Sequence, residues 1–161
     1  MPTLVHLADA NNAEKIRKNG LKPGKIQRGV YCMPVLPDFY VTHQWLRELK
    51  ASGVKTLVAV YFKADENEVV WIRKLGGMHR KKILSEAIKE IWDAENKEGY
   101  ELIFDTKIEA GNIVKIKDLS QKIGWRYSPG SHGTAPCTCE MCMRGKIKGK
   151  RTIKRMLEKE K

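Results

Sequence analysis

Residues 55–64, KTLVAVYFKA, are nearly unbroken apolar sequence between Gly53 and a polar turn, and they read as the clearest strand in the chain. The run is far too short to cross a bilayer, which takes about 18 residues, and no other apolar run approaches that length. The opening Met-Pro-Thr-Leu-Val-His carries neither the charged region nor the apolar stretch of a secretory signal. These features predict a cytoplasmic chain with no membrane partner. Its 161 residues suffice for one main domain with a short appendage.

Other elements arrange themselves around that strand. Leu4 to Leu7 predicts a short first strand, and Asp9 or Asn11 caps a helix over 12–19 that Gly20 stops. Residues 29–36 predict a second strand, closed by Pro37 and Asp38. Thr42 is then expected to cap a helix with Trp45, Leu46 and Leu49 on one face. Residues 69–73 predict a strand paired with 55–64. Ile83, Leu84, Ala87, Ile88, Ile91 and Trp92 recur at helical spacing, so 80–97 reads as one amphipathic helix. Strands follow at 100–108 and 113–116. This order mixes strand–helix alternation with direct strand pairs. It predicts an α+β domain over residues 1–123, built on a split, mixed sheet of about six strands with flanking helices.

From residue 124 the texture changes. Residues 124–136 are rich in Gly, Ser and Pro, and three of the four cysteines then fall within six residues, at Cys137, Cys139 and Cys142. A secreted disulfide framework would spread its cysteines, so this cluster reads as metal binding in a reducing compartment. With His132 the segment offers four soft ligands for a tetrahedral Zn2+ in a knuckle spanning 124–145. His79 is an alternative fourth ligand, an iron–sulfur centre is the weaker alternative, and Cys32 reads as a small buried hydrophobe.

A basic tail, 146–161, completes the chain. The sequence carries 31 Lys+Arg against 19 Asp+Glu, a net of +12. Residues 126–161 hold ten basic and three acidic residues and so contribute +7 of it. Arg144, Lys146, Lys148, Lys150 and Arg151 lie in a stretch that can neutralise several phosphates, which points to nucleic acid, DNA or RNA, as a partner. Trp125, Arg126 and Tyr127 precede it. Trp125 and Tyr127 could stack on unpaired bases or pack onto the domain. A second cationic spot, His79 to Lys82, lies at the start of the predicted long helix. An anion held there by backbone amides and a plainly solvated surface are both open readings.

Three further motifs occur in order. A histidine ends the first strand in Val5-His6-Leu7-Ala8, a tyrosine sits in Gly29-Val30-Tyr31, and a glutamate opens Glu101-Leu102-Ile103-Phe104. Over residues 3–118 this order resembles the His–Tyr–Glu class of ADP-ribosyltransferase folds. Leu7 stands where that family has a small hydroxyl residue. The resemblance implies NAD as the cofactor, with His6 on the nicotinamide ribose and Tyr31 stacked on the nicotinamide ring. Glu101 would be the catalytic carboxylate, and Tyr40 a candidate second stacking ring. Three functions remain open at this point: ADP-ribosyl transfer associated with nucleic acid, NAD hydrolysis to free ADP-ribose, and non-catalytic nucleic-acid binding on a zinc-containing scaffold. On the first two, the three side chains must project to one side of the sheet, and Glu101 and His6 on opposite faces would rule out a shared NAD site.

Overall fold

In a computed structural model of the chain, the described residues are 1–24, 28–125 and 127. The domain is α+β. Its strands are β1 (Thr3–Asp9), β2 (Val30–Pro34), β3 (Leu57–Lys63), β4 (Val69–Lys74), β5 (Arg80–Ile83), β6 (Tyr100–Phe104) and β7 (Ile113–Asp118). They form one open sheet in the order β5-β4-β6-β2-β1-β3-β7, and every pairing is antiparallel. The expected mixed sheet of about six strands is therefore corrected to a single antiparallel sheet of seven. The seventh strand is β5, a tract of Arg80, Lys81 and Lys82 that the helical period of the following residues had absorbed.

Helix α1 (Ala13–Asn19) ends at Gly20, whose φ of 75° requires glycine. A β-carbon at Gly20 would lie 2.0 Å from the carbonyl oxygen of Ile108. That close approach lets Leu21 and Ile108 exchange two backbone hydrogen bonds, at 2.8 and 2.9 Å. Thr42 does not cap a helix. Asp38 does, accepting from the amides of Tyr40 and Val41 at the start of the single turn α2 (Phe39–Thr42). The Thr42 hydroxyl is buried instead, bonded to the Leu36 and Asp38 carbonyls and to the Leu36 amide. A second turn leads into α3 (Leu46–Ala51).

The expected helix 80–97 shortens to α4 (Leu84–Asp93), because Ala94 is already extended, with ψ of 133°. Nor does β4 pair with β3. Both sides of β3 are taken by β1 and β7, so β4 crosses to the far half of the sheet and pairs with β5 and β6.

Residues opposite one another in an antiparallel ladder share a side, and successive residues alternate. One side carries Leu4, Phe62, Ile72, Leu102 and Phe104, all buried, and the Phe62 and Phe104 rings meet at 5.8 Å. Arg80 and Lys82 point to that side as well, and both bond Glu90, so α4 covers it with Leu84, Ala87 and Ile91. Burying Leu84 and Ile91 stabilises by about 1.5–3 kcal/mol each. The other side carries Val5, Met33 and Tyr61 and lies under the α2–α3 segment. There His43 bonds the Tyr61 hydroxyl and the Gln44 amide reaches the Met33 sulfur. No helix among the described residues is long and apolar enough to cross a membrane.

Candidate functional site

His6, Tyr31 and Glu101 lie on β1, β2 and β6, three consecutive strands at the middle of the sheet. With neighbouring strands about 4.8 Å apart, the outer two stand roughly 10 Å from one another. Registered pairing between β1 and β2 is short. It comprises Leu4 with Pro34 and Val5 with Met33, and then stops. The next residue of β1 is His6, whose Nδ1 lies 2.6 Å from the Tyr31 carbonyl oxygen. A carbonyl only accepts, so Nδ1 carries the proton. Nε2 has no hydrogen-bond partner among the described residues, and in the neutral ring it is an acceptor. Burial lowers the pKa of His6, and the bond to Tyr31 raises it in part. The ring is therefore neutral at pH 7 and offers an unused lone pair where β1 and β2 part.

The three side chains do not all project to one side, and that expectation is corrected. Tyr31 is registered with Ile103, and Glu101 is two residues from Ile103, so both share one side. His6 is registered with Val60, on the side of Phe62 and Leu4. What brings His6 to Tyr31 is the backbone. Strand carbonyls lie in the plane of the sheet, so the imidazole reaches the seam between the strands and not the opposite face.

Glu101 is 7% exposed, and its Oε1 lies 2.7 Å from Nη2 of Arg73, the residue directly opposite on β4. No local sequence signal joins Arg73 to Glu101, because they meet only through the register of β4 on β6. Cys32 is buried in the core. Its thiol is pushed up well above the usual range by burial first, then by the charges of Glu101 and Glu68. It stays protonated and behaves as a small hydrophobe.

Tyr40 sits on α2, 59% exposed, with its ring edge-on to Phe39 at 6.0 Å. None of its contacts among the described residues reaches His6, Tyr31 or Glu101. Residues 80–82 form an edge strand and not a helix start, so they do not present the clustered amides of a helix N-terminus to an anion. His79 is exposed, edge-on to the Trp71 ring at 6.3 Å.

Trp125 and Tyr127 are attached to the domain. Trp125 donates its amide to the Gln44 carbonyl at 3.1 Å. The Tyr127 amide meets a Glu48 oxygen at 2.6 Å, and its ring lies against Trp45 at 4.6 Å. The Tyr127 hydroxyl bonds the Gln44 side chain and accepts from the Gly99 amide at 3.0 Å. Burial pushes its pKa up to about 12. Tyr127 is thus packed onto the domain, which spends its ring on Trp45.

The proposed zinc ligands His132, Cys137, Cys139 and Cys142 lie outside the described residues, as do Arg126, Arg144, Lys146, Lys148, Lys150 and Arg151. Among the described residues no group of three or more His, Cys, Asp or Glu is placed to hold a metal ion. Set against known protein families, curated proteins and solved structures, the chain matches none.

Proposed function

We propose that this protein binds nucleic acid without catalysis, through its cationic tail and Cys/His segment, with the α+β domain as a scaffold. The observation that carries the reading is the concentration of charge, since residues 126–161 hold +7 of the net +12. His6 and Glu101 project to opposite sides of the sheet, so they do not line one cleft for NAD. The largely buried Arg73–Glu101 pair joins adjacent strands as a structural pair would. The donor set of three thiols and one imidazole suits a tetrahedral Zn2+.

Titrating a labelled oligonucleotide with the full chain, and with the chain lacking residues 144–161, tests the reading. Salt-sensitive binding that the deletion weakens supports it. Equal affinity with and without those residues overturns it.

A second reading, ADP-ribosyl transfer from NAD, rests on the meeting of His6 and Tyr31 where β1 and β2 part, one strand from Glu101. On that reading a nucleophilic acceptor bonds to the ribose C1 and gives up its proton as nicotinamide leaves the same carbon. Glu101, held by Arg73, would stabilise the positive charge that develops there. The projection of His6 to the side opposite Glu101 counts against it. NAD labelled in the adenylate decides. Label transferred to an acceptor and lost in Glu101→Gln supports transfer, free ADP-ribose alone indicates hydrolysis, and no consumption of NAD by folded protein excludes both.

A further inference from the structure

On the α2 side of the sheet, aromatic rings and lysines form a continuous series. Tyr40 and Phe39 are 59% and 48% exposed on the turn that follows β2. The Phe39 ring lies 4.3 Å from the His43 ring, and His43 lies 6.0 Å from Tyr61 on β3. Lys115 of β7 stands over the Tyr61 ring at 4.9 Å, and Lys63 is two residues along β3, on the same side. Beside them Val35 is 38% exposed and donates its amide to Thr3, the residue registered with Lys63.

This surface is held rigid from beneath. His43 Nδ1 donates to the Phe39 carbonyl at 2.7 Å, which leaves Nε2 as the acceptor for the Tyr61 hydroxyl at 2.9 Å. The buried imidazole thereby ties the turn bearing Phe39 and Tyr40 to the strand bearing Lys63. Neither Lys63 nor Lys115 is in an ion pair among the described residues. Asp38, the carboxylate on the same turn, is occupied by the Tyr40 and Val41 amides.

We propose that this surface binds single-stranded nucleic acid, with bases stacking on Phe39 and Tyr40 and phosphates meeting Lys63 and Lys115. Any base offers a π-face to an exposed aromatic ring, and phosphates answer unpaired ammonium groups on a segment, residues 1–125, that carries +5 without the tail. Exposed rings in fixed positions lose little freedom on binding, which favours stacking over general charge attraction. The site stands independently of NAD turnover and of the tail. It assigns Tyr40 to bases, not to nicotinamide.

The test is fluorescence anisotropy with the full chain and a labelled single-stranded oligonucleotide of about 12 nucleotides, as RNA and as DNA. The double substitution Phe39→Ala with Tyr40→Ala should weaken binding about tenfold or more while leaving the salt slope unchanged. Lys63→Gln with Lys115→Gln should reduce the slope of log affinity against log salt by about 1.4, or 0.7 per phosphate. Affinity within about twofold of the parent for both variants overturns the proposal. So does a loss confined to binding of phosphatidylserine vesicles. Photocrosslinking of the unsubstituted chain to a 4-thiouridine oligonucleotide gives a readout that needs no variant. Adducts at Phe39 or Tyr40 support the site, and adducts confined to residues after 127 sink it.

Discussion

Arg73 and Glu101 stand directly opposite one another on β4 and β6, with guanidinium nitrogen and carboxylate oxygen 2.7 Å apart. The Glu101 side chain is 10% exposed and that of Arg73 27%, so water screens the pair only in part. Removing Arg73 leaves a buried carboxylate without its cation, and Arg73→Ala should cost on the order of 3 kcal/mol in urea unfolding. Glu101→Gln tests the chemistry separately. If Glu101 acts on developing charge, turnover should fall about a hundredfold with the KM for NAD nearly unchanged. A rise in KM alone would mean that Glu101 only binds.

Acid should weaken the fold through two histidines. Burial lowers the pKa of both His6 and His43 below the ordinary 6.5, so the unfolded chain takes up protons that the folded chain refuses. The unfolded state then binds more protons, and stability declines as pH falls below about 6.5. Above that value neither ring contributes a slope. Glu90, held low chiefly by its hydrogen bond to Arg80, adds its own loss only as pH falls through its usual 4.5 and below. Urea midpoints between pH 7.5 and 5.5 check this. His43→Gln should flatten the decline, and an unchanged slope would remove His43 from the account.

Two glycines should respond very differently to alanine. Gly20→Ala meets both a positive φ and the Ile108 carbonyl, and should cost at least about 2 kcal/mol. Gly111→Ala has nothing within 4 Å of the new β-carbon and should be nearly neutral. Thermal unfolding of the two variants makes the comparison.

The metal expectation rests on composition and spacing. The purified chain should hold about one zinc, and Cys139→Ser should release it. Atomic emission on protein prepared without chelator decides this, and a metal-free result ends the knuckle. The tail is tested by deleting residues 144–161, which should weaken nucleic-acid binding regardless of sequence and flatten its salt dependence.

What the sequence revealed depended on how local the cause was. Gly20 stops α1 because capping is decided within a few residues, and the strand at 55–64 is found as β3 because apolar runs are local too. The partner of β4 was not legible. Chain neighbours normally pair, but β3 spends both edges on β1 and β7, which only the assembled sheet reveals. Arg80, Lys81 and Lys82 read as a helical turn because Ile83, Ala87 and Ile91 continue the helical period. In the fold, their alternation turns Arg80 and Lys82 towards Glu90 and leaves Lys81 over Trp71. For the candidate site, the order His6, Tyr31, Glu101 fell on adjacent strands as the resemblance would need. Side-chain direction did not follow, because it depends on where pairing between β1 and β2 stops. Phe39, Lys63 and Lys115 were invisible as a group, since they are joined only through His43 and Tyr61.

An open sheet has two outer strands with unsatisfied backbone groups, each able to template pairing with another chain. Here those strands are β5 and β7, at opposite ends of the order. β5 leaves Lys81 outside the Glu90 pairing that holds Arg80 and Lys82, and β7 places Lys115 and Lys117 on one side. Bringing two such borders together would set lysine against lysine before any amide could meet a carbonyl. The cations that disguised β5 in the sequence thus act as a guard against aggregation, one that concentrated salt would weaken.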